Sequence, residues 1–240
     1  MKIPVMIPVG KAHEPENQNA LLPDFGELRF ALRALHQHGR NLGRVHLVFG
    51  SEQLPTWLNA DKVGIRMHAD IQDQAYKQRN IYLKVLSQFE YTDSFLFMND
   101  DHFLLKDHDL SRFPNYVDNR TLGEVGIALR GRSDYSKTIA NTLEVLKDDA
   151  RYFDVHAPII YRVYPWLTSF YNVPTAKAHG HCLKSIYGNK SKLTSVAIDD
   201  CKITGVETYE RIVEKIAGRP WFSTGDHAFG RGMLEVLNSL

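Results

Sequence analysis

Short apolar runs alternate with stretches of helical period over residues 1–98, and few architectures accept that order. Residues 4–9 form the first apolar run, and a polar loop over residues 10–23 follows it. Leu28, Ala31, Leu32 and Leu35 then share one helical face, with Gly39 as the stop. Asp24 stands three residues ahead of Glu27, the spacing of a capping box. Residues 44–49 (Val45, Leu47, Val48, Phe49), 63–67 and 94–98 read as strands, and residues 75–88 as a helix that turns Ile81 and Val85 inward. The order strand, helix, strand, strand, helix, strand predicts an α/β domain with a mainly parallel sheet flanked by helices. Pro8 lacks an amide donor, which argues for an edge or a strand end there. Sheets of this kind bind ligands in the crevice outside the carboxyl ends of their strands. That rule points to the loops after Val9, Phe49 and Met98.

The second half is less regular and more helical. Residues 125–129 read as a strand, 136–147 as a helix, 165–174 as short helices or turns, and 208–216 as a helix. A last helix is expected to start at Gly225 or Asp226, with Ser223 and Thr224 as cap hydroxyls. No linker rich in Pro, Gly or Ser interrupts the 240 residues. The expected organisation is one compact domain over 1–240, with an α/β part at 1–130 and a more helical part at 131–240. With 29 basic against 28 acidic side chains, bulk charge draws neither nucleic acid nor anionic lipid; a local basic groove remains open. Two cysteines suit a reducing compartment, and no apolar run approaches the ~18 residues of a membrane span. The expectation is a soluble, cytoplasmic chain without membrane insertion.

The sharpest chemical signal is the apolar strand Phe95-Leu96-Phe97-Met98 running into Asn99-Asp100-Asp101-His102. Carboxylates at the carboxyl edge of a strand suit a hard cation, Mg2+ or Mn2+, that bridges a diphosphate; a solvated turn is the plain alternative. Ser223-Thr224-Gly225-Asp226-His227 would bring hydroxyls, amides and a carboxylate to a phosphate or metal, or simply cap a helix. His156, within Asp154-Val155-His156-Ala157-Pro158, is either a general base or a structural residue. His179-Gly180-His181-Cys182 carries zinc-ligand residue types without a second pair at conventional spacing, and Asp199-Asp200 reads as a solvated turn in preference to a second metal site. Arg29 and Arg33 lie one helical turn apart, placed either to clamp a phosphate or to face solvent. Lys77, Arg79 and Lys84 accompany the helix before the Asn-Asp-Asp strand. Nucleophile-elbow, P-loop and dinucleotide fingerprints are absent from the sequence.

The run Gly26-Glu27-Leu28-Arg29-Phe30-Ala31-Leu32-Arg33-Ala34-Leu35 resembles the opening of the main block of Stealth proteins. Leu54-Pro55-Thr56-Trp57-Leu58-Asn59, His68-Ala69-Asp70-Ile71 and Phe97-Met98-Asn99-Asp100-Asp101 follow in that family's order. His156-Ala157-Pro158 resembles its H-x-P block, and Trp221 to Asp226 its final block; Val5 to Gly10 lack the Trp and Asp of its first block. Stealth proteins include bacterial capsule hexose-1-phosphate transferases and the animal N-acetylglucosamine-1-phosphotransferase, with a core similar to GT-A nucleotide-sugar transferases. The resemblance implies a metal-dependent transferase using a nucleotide-diphosphate sugar. Asp101 would bind Mn2+ or Mg2+, and Asp100 would assist it or act as base. Arg29, Arg33, Arg79 and Asn99 would hold the donor, Asp226 would lie near the metal, and His156 would take the acceptor proton or bond a phosphate oxygen. A glycan is the expected acceptor. A hydroxymethylated base of phage DNA is the alternative, approached through Arg130, Arg132 and Lys137 or through Lys184, Lys190 and Lys192. A noncatalytic carbohydrate- or nucleotide-binding module is the rival from another class.

Overall fold

The computed structural model describes residues 1–10, 26–50, 54–131, 134–225 and 227–240. The first half runs β1 (Ile3–Val9), α1 (Gly26–His38), β2 (Gly39–Arg40), β3 (Leu42–Phe49), β4 (Gly64–Met67), α2 (Lys77–Phe89), β5 (Ser94–Phe97), β6 (His102–Leu104), β7 (His108–Asp109) and β8 (Tyr116–Val117). It is followed by α3 (Leu122–Leu129), α4 (Tyr135–Leu143), β9 (Ile159–Arg162), α5 (Val163–Phe170) and α6 (Leu183–Lys190). The chain closes with β10 (Val196–Ala197), β11 (Lys202–Ile203), α7 (Tyr209–Ile216), β12 (Trp221–Thr224) and α8 (Arg231–Ser239). The main sheet has the order β4-β3-β1-β5-β9, with β9 antiparallel and the other strands parallel.

β1, the second half of β3 and β5 are mostly apolar because both their faces are covered. One face packs Val5, Ile7, Leu47 and Leu96 against α1, α3 and α8; the other packs Met6, Val48, Phe95 and Phe97 against Val85, Tyr161, Trp166 and Tyr187. Each parallel crossover carries the chain back, so α1 and α2 both begin at the carboxyl end of the sheet. A second sheet, β11-β12-β6, pairs Ser223 with His102 and Lys202 with Ser223, which joins residues far apart in the sequence at that same edge.

Two expectations are corrected, and the expectation for Pro8 is narrowed to one of its alternatives. Pro8 lies at the end of a central strand rather than at an edge, beyond the pairing of β5 with Val5 and Met6 of β1. Met98 N donates to Met6 O, so by alternation Pro8 faces the same side beyond the last pairing, where no ladder bond is lost. Residues 125–129 are helical: Thr121 accepts from Glu124 N, and the Glu124 side chain accepts from Thr121 N, a full capping box that starts α3. The last helix begins at Arg231 rather than at Gly225, because Trp221–Thr224 is a buried strand. Among the described residues no helix is long and apolar enough to cross a membrane.

Candidate functional site

Strand β5 delivers Asn99-Asp100-Asp101 to the carboxyl edge of the sheet, and the turn is closed by its own side chains. His102 N donates to Asn99 O at 3.3 Å, and Asn99 N donates to His102 Nδ1 at 3.3 Å. Asp100 is pushed up to about 7 by burial, by Asp101 and by Glu27, with Lys77 opposing. The Asp101 charge raises the cost of ionising Asp100, and a cation beside them would lower it. Burial, Lys184, His156 and Lys202 push His102 well below the ordinary histidine range, so it stays neutral and is no counter-ion to Asp101 Oδ1 at 3.7 Å. Asp101 Oδ1, His102 Nε2, Ser223 Oγ and Thr224 Oγ1 are buried without a hydrogen-bond partner among the described residues. They are half of the eight such atoms in the chain's described part, which concentrates unmet polar demand at this edge.

His156 arrives from the segment before β9. Its peptide is pinned on three sides: Trp221 Nε1 donates to His156 O at 2.7 Å, and the buried Lys184 donates to Val155 O at 3.0 Å and Ala157 O at 2.7 Å. Asp200 Oδ1 accepts from His156 N at 3.1 Å, and Asp200 Oδ2 lies 2.5 Å from His156 Nδ1. Burial opposes ionisation of Asp200, but the hydrogen bond and charge of His156 hold its carboxyl below the usual carboxylate range. An ionised Asp200 accepts from Nδ1–H and leaves Nε2 as the acceptor nitrogen. Lys202 Nζ sits 3.1 Å from that Nε2 and 4.0 Å from Asp101 Oδ2, so it links the imidazole to the acidic turn. Sequence reasoning missed Asp200 and Lys202. The Asp-Asp pair reads locally as a turn, and only the β11–β12–β6 sheet brings it to His156.

The crevice floor lies where β1, β3 and β4 end. Lys84, on α2, donates to Val9 O at 3.0 Å and to Asp70 Oδ2 at 2.7 Å, and Asp70 Oδ1 lies 3.0 Å from His68 Nδ1. Gly50 is obligatory there, since a Cβ would sit 1.8 Å from Asp70 Oδ2.

The expected site residues divide as follows. Asn99, Asp100, Asp101 and His156 converge at this edge through the contacts above. Thr224 N donates to Asp101 O at 3.3 Å, so the Ser223-Thr224-Gly225 run arrives there too, while Asp226 lies outside the described residues. Arg29 is exposed on α1, and Arg79 is half-buried in the first turns of α2. Arg33 donates to Leu237 O at 3.2 Å and Asn238 O at 3.1 Å, which holds it at the C-terminal carbonyls of α8. Neither proposed basic patch is continuous: Lys184 is buried, Lys137 is paired with Asp134 at 2.7 Å, and Arg132 lies outside the described residues. Asp199 is exposed and accepts from Asn119 Nδ2 at 2.9 Å.

No three His, Cys, Asp or Glu side chains among the described residues form a metal cage. Mg2+ in phosphate-handling sites is typically held by one or two carboxylates plus substrate phosphates, so a cage is not what the chemistry requires. The orphaned Asp101 Oδ1 and the mutually repelling Asp100 and Asp101 fit such an ion.

No family model matches the chain, and no curated protein matches it in sequence. Among solved structures the fold is similar to that of the apo WbbM bifunctional glycosyltransferase, with a TM-score of 0.52 at 14% identity. The likeness covers 96% of this chain and 46% of that one, so this chain spans about half the length of that protein. At such identity it is the fold that is shared: a glycosyltransferase-like α/β domain.

Proposed function

We propose that this chain transfers a sugar, or a sugar 1-phosphate, from a nucleotide-diphosphate sugar to an acceptor hydroxyl. The carrying observation is the convergence at one sheet edge of the acidic turn Asp100-Asp101 with the His156–Asp200 pair, bridged by Lys202. The glycosyltransferase-like fold and the resemblance to Stealth proteins support the same reading.

The donor would lie in the crevice over Val9, Gly50 and the Asp70–Lys84 pair, with its diphosphate toward Asp101. Mg2+ or Mn2+ held by Asp101 and Asp100 would supply neutralisation of the charge that develops on the leaving phosphate. Lys202 contributes a second positive charge at the same place. A diphosphate is a stronger acceptor for its ammonium than a neutral imidazole, so donor entry draws Lys202 away and bares His156 Nε2. Nε2 then takes the proton of the acceptor hydroxyl, while Asp200 holds the ring and stabilises the imidazolium. In glycosyl transfer the acceptor oxygen bonds to the anomeric carbon and the nucleoside diphosphate departs. In sugar-phosphate transfer it bonds to the β-phosphorus and the nucleoside monophosphate departs. The protein's part is largely positioning and electrostatics.

The test is incubation with a panel of nucleotide sugars, Mn2+ and glycan acceptors, with identification of the released nucleotide. A diphosphate assigns glycosyl transfer, and a monophosphate in a phosphatase-free preparation assigns sugar-phosphate transfer. Tight donor binding without release of either would make the chain a binding module and defeat the proposal.

A further inference from the structure

Two hollows adjoin and share Arg151 as a wall. One, of about 320 Å³, is lined by residues 117–121 with Arg151, Ser195 and Ala197. The other, of about 230 Å³, is lined by Arg151, Phe153, Asn189 and Lys192 among others. One contact ties the first hollow to the chain segment that carries Asp200. Asn119 Nδ2 donates to Asp199 Oδ1 at 2.9 Å, and Asp199 is the chain neighbour of Asp200, the partner of His156.

The charges in these walls do not cancel. Asp118 is consumed by Arg120, which grips it with Nε at 2.9 Å and Nη2 at 2.8 Å. Arg151 donates from Nη1 to Ser195 Oγ at 2.8 Å, a neutral acceptor, and neither it nor Lys192 has an acidic partner among the described residues. The backbone beneath Arg151 is fixed. Its N donates to Asn189 Oδ1 at 3.0 Å, its O accepts from Asn189 Nδ2 at 2.8 Å, and it bridges to Thr121. A rooted guanidinium with unspent donors in a hollow is built to receive an anion, since its planar fork matches a carboxylate or phosphate with two parallel bonds.

We propose that this double hollow binds an anionic group of the acceptor, a carboxylate on a glycan, through Arg151 with Lys192 beside it. The inference rests on the transferase reading and names its acceptor class. Two free cations suit one or two anionic groups. A duplex held by roughly 6–10 phosphate contacts needs a far longer basic track.

The test is calorimetry on the full chain with a hexuronate oligosaccharide, a neutral hexaose of equal length and a DNA duplex. Wild type should bind the hexuronate and not the neutral chain. Arg151→Gln should weaken that binding by about tenfold or more, the cost of a charged, bidentate contact, and Lys192→Gln by less. Both residues are exposed, so the melting temperature should hold and report folding. Failure of the hexuronate to bind, equal binding by Arg151→Gln, or tighter Arg151-dependent binding of the duplex would each overturn the proposal. The transferase reading is judged separately. Hexuronate bound through Arg151 with no nucleotide released on its addition would remove that reading and keep the subsite. Transfer to neutral acceptors, unchanged in Arg151→Gln, would keep the reading and remove the subsite.

Discussion

Replacing Lys84 by Met should destabilise the fold by more than any surface change, because it strands a carboxylate at the crevice floor. The Lys84 side chain is 3% exposed and the Asp70 side chain 14%, and their contact of 2.7 Å ties α2 to the loop after β4. The third partner, Val9 O, ties the same ammonium to the end of β1. Removing one member of a buried pair generally costs about 3–5 kcal/mol, since the other charge stays without compensation. Asp70 keeps His68 on Oδ1, which places the loss near the lower end, at about 3 kcal/mol. For a chain of this size that corresponds to a fall of roughly 6–12 °C in Tm. Asp70→Asn added to Lys84→Met removes the stranded charge and should recover at least half of the loss. Urea unfolding of wild type, both single variants and the double variant measures the coupling, expected at about 1–3 kcal/mol. A loss below about 1 kcal/mol for Lys84→Met, or strict additivity in the double variant, would refute the reasoning.

Three further outcomes are expected. His156→Ala should lower turnover by about 10²–10⁴-fold while the affinity for nucleoside diphosphate stays level; a fall in Tm with turnover per folded molecule unchanged would return His156 to the scaffold. Arg33→Ala should cost about 1 kcal/mol of stability through the lost bonds to the α8 carbonyls and leave donor affinity untouched, as denaturation and calorimetry on one preparation would show. Burial and neighbouring cations hold His46 and His181 at about 4, so below the ordinary 6.5 the unfolded chain binds more protons and stability falls as pH drops through that window. A His46→Gln/His181→Gln variant should therefore lose less Tm than wild type between about pH 7.5 and 5.5, and an equal loss would contradict the assignment.

Much of the fold is legible because its central strands are buried on both faces and declare themselves as short, mostly apolar runs. Val45 to Phe49 and Phe95 to Met98 need no tertiary knowledge to be read. The element at 122–129 hides behind the alternation of Val125, Ile127 and Leu129, which mimics a strand. The Thr121-x-x-Glu124 box outweighs it and was present in the sequence. Trp221–Thr224 hides for the opposite reason: its hydroxyls look like a helix cap until pairing with β6 and β11 claims the backbone. The acidic turn of the site is local and therefore visible. The His156–Asp200 contact spans 44 positions and depends on the second sheet, so no local pattern announces it. Lys184 illustrates the converse, a lysine that reads as surface charge yet is buried on the carbonyls flanking His156.

The central claim is that the Asp100-Asp101 turn is where a metal-bridged donor diphosphate is held. Calorimetric titration of nucleoside diphosphates into wild type and Asp101→Asn, each with Mn2+ and with EDTA, tests it directly. Wild type should bind one of them at least about tenfold more tightly with Mn2+ than with EDTA, and Asp101→Asn should behave in Mn2+ as wild type does in EDTA. Equal affinity with and without the metal, or a metal effect that survives in Asp101→Asn, would contradict it.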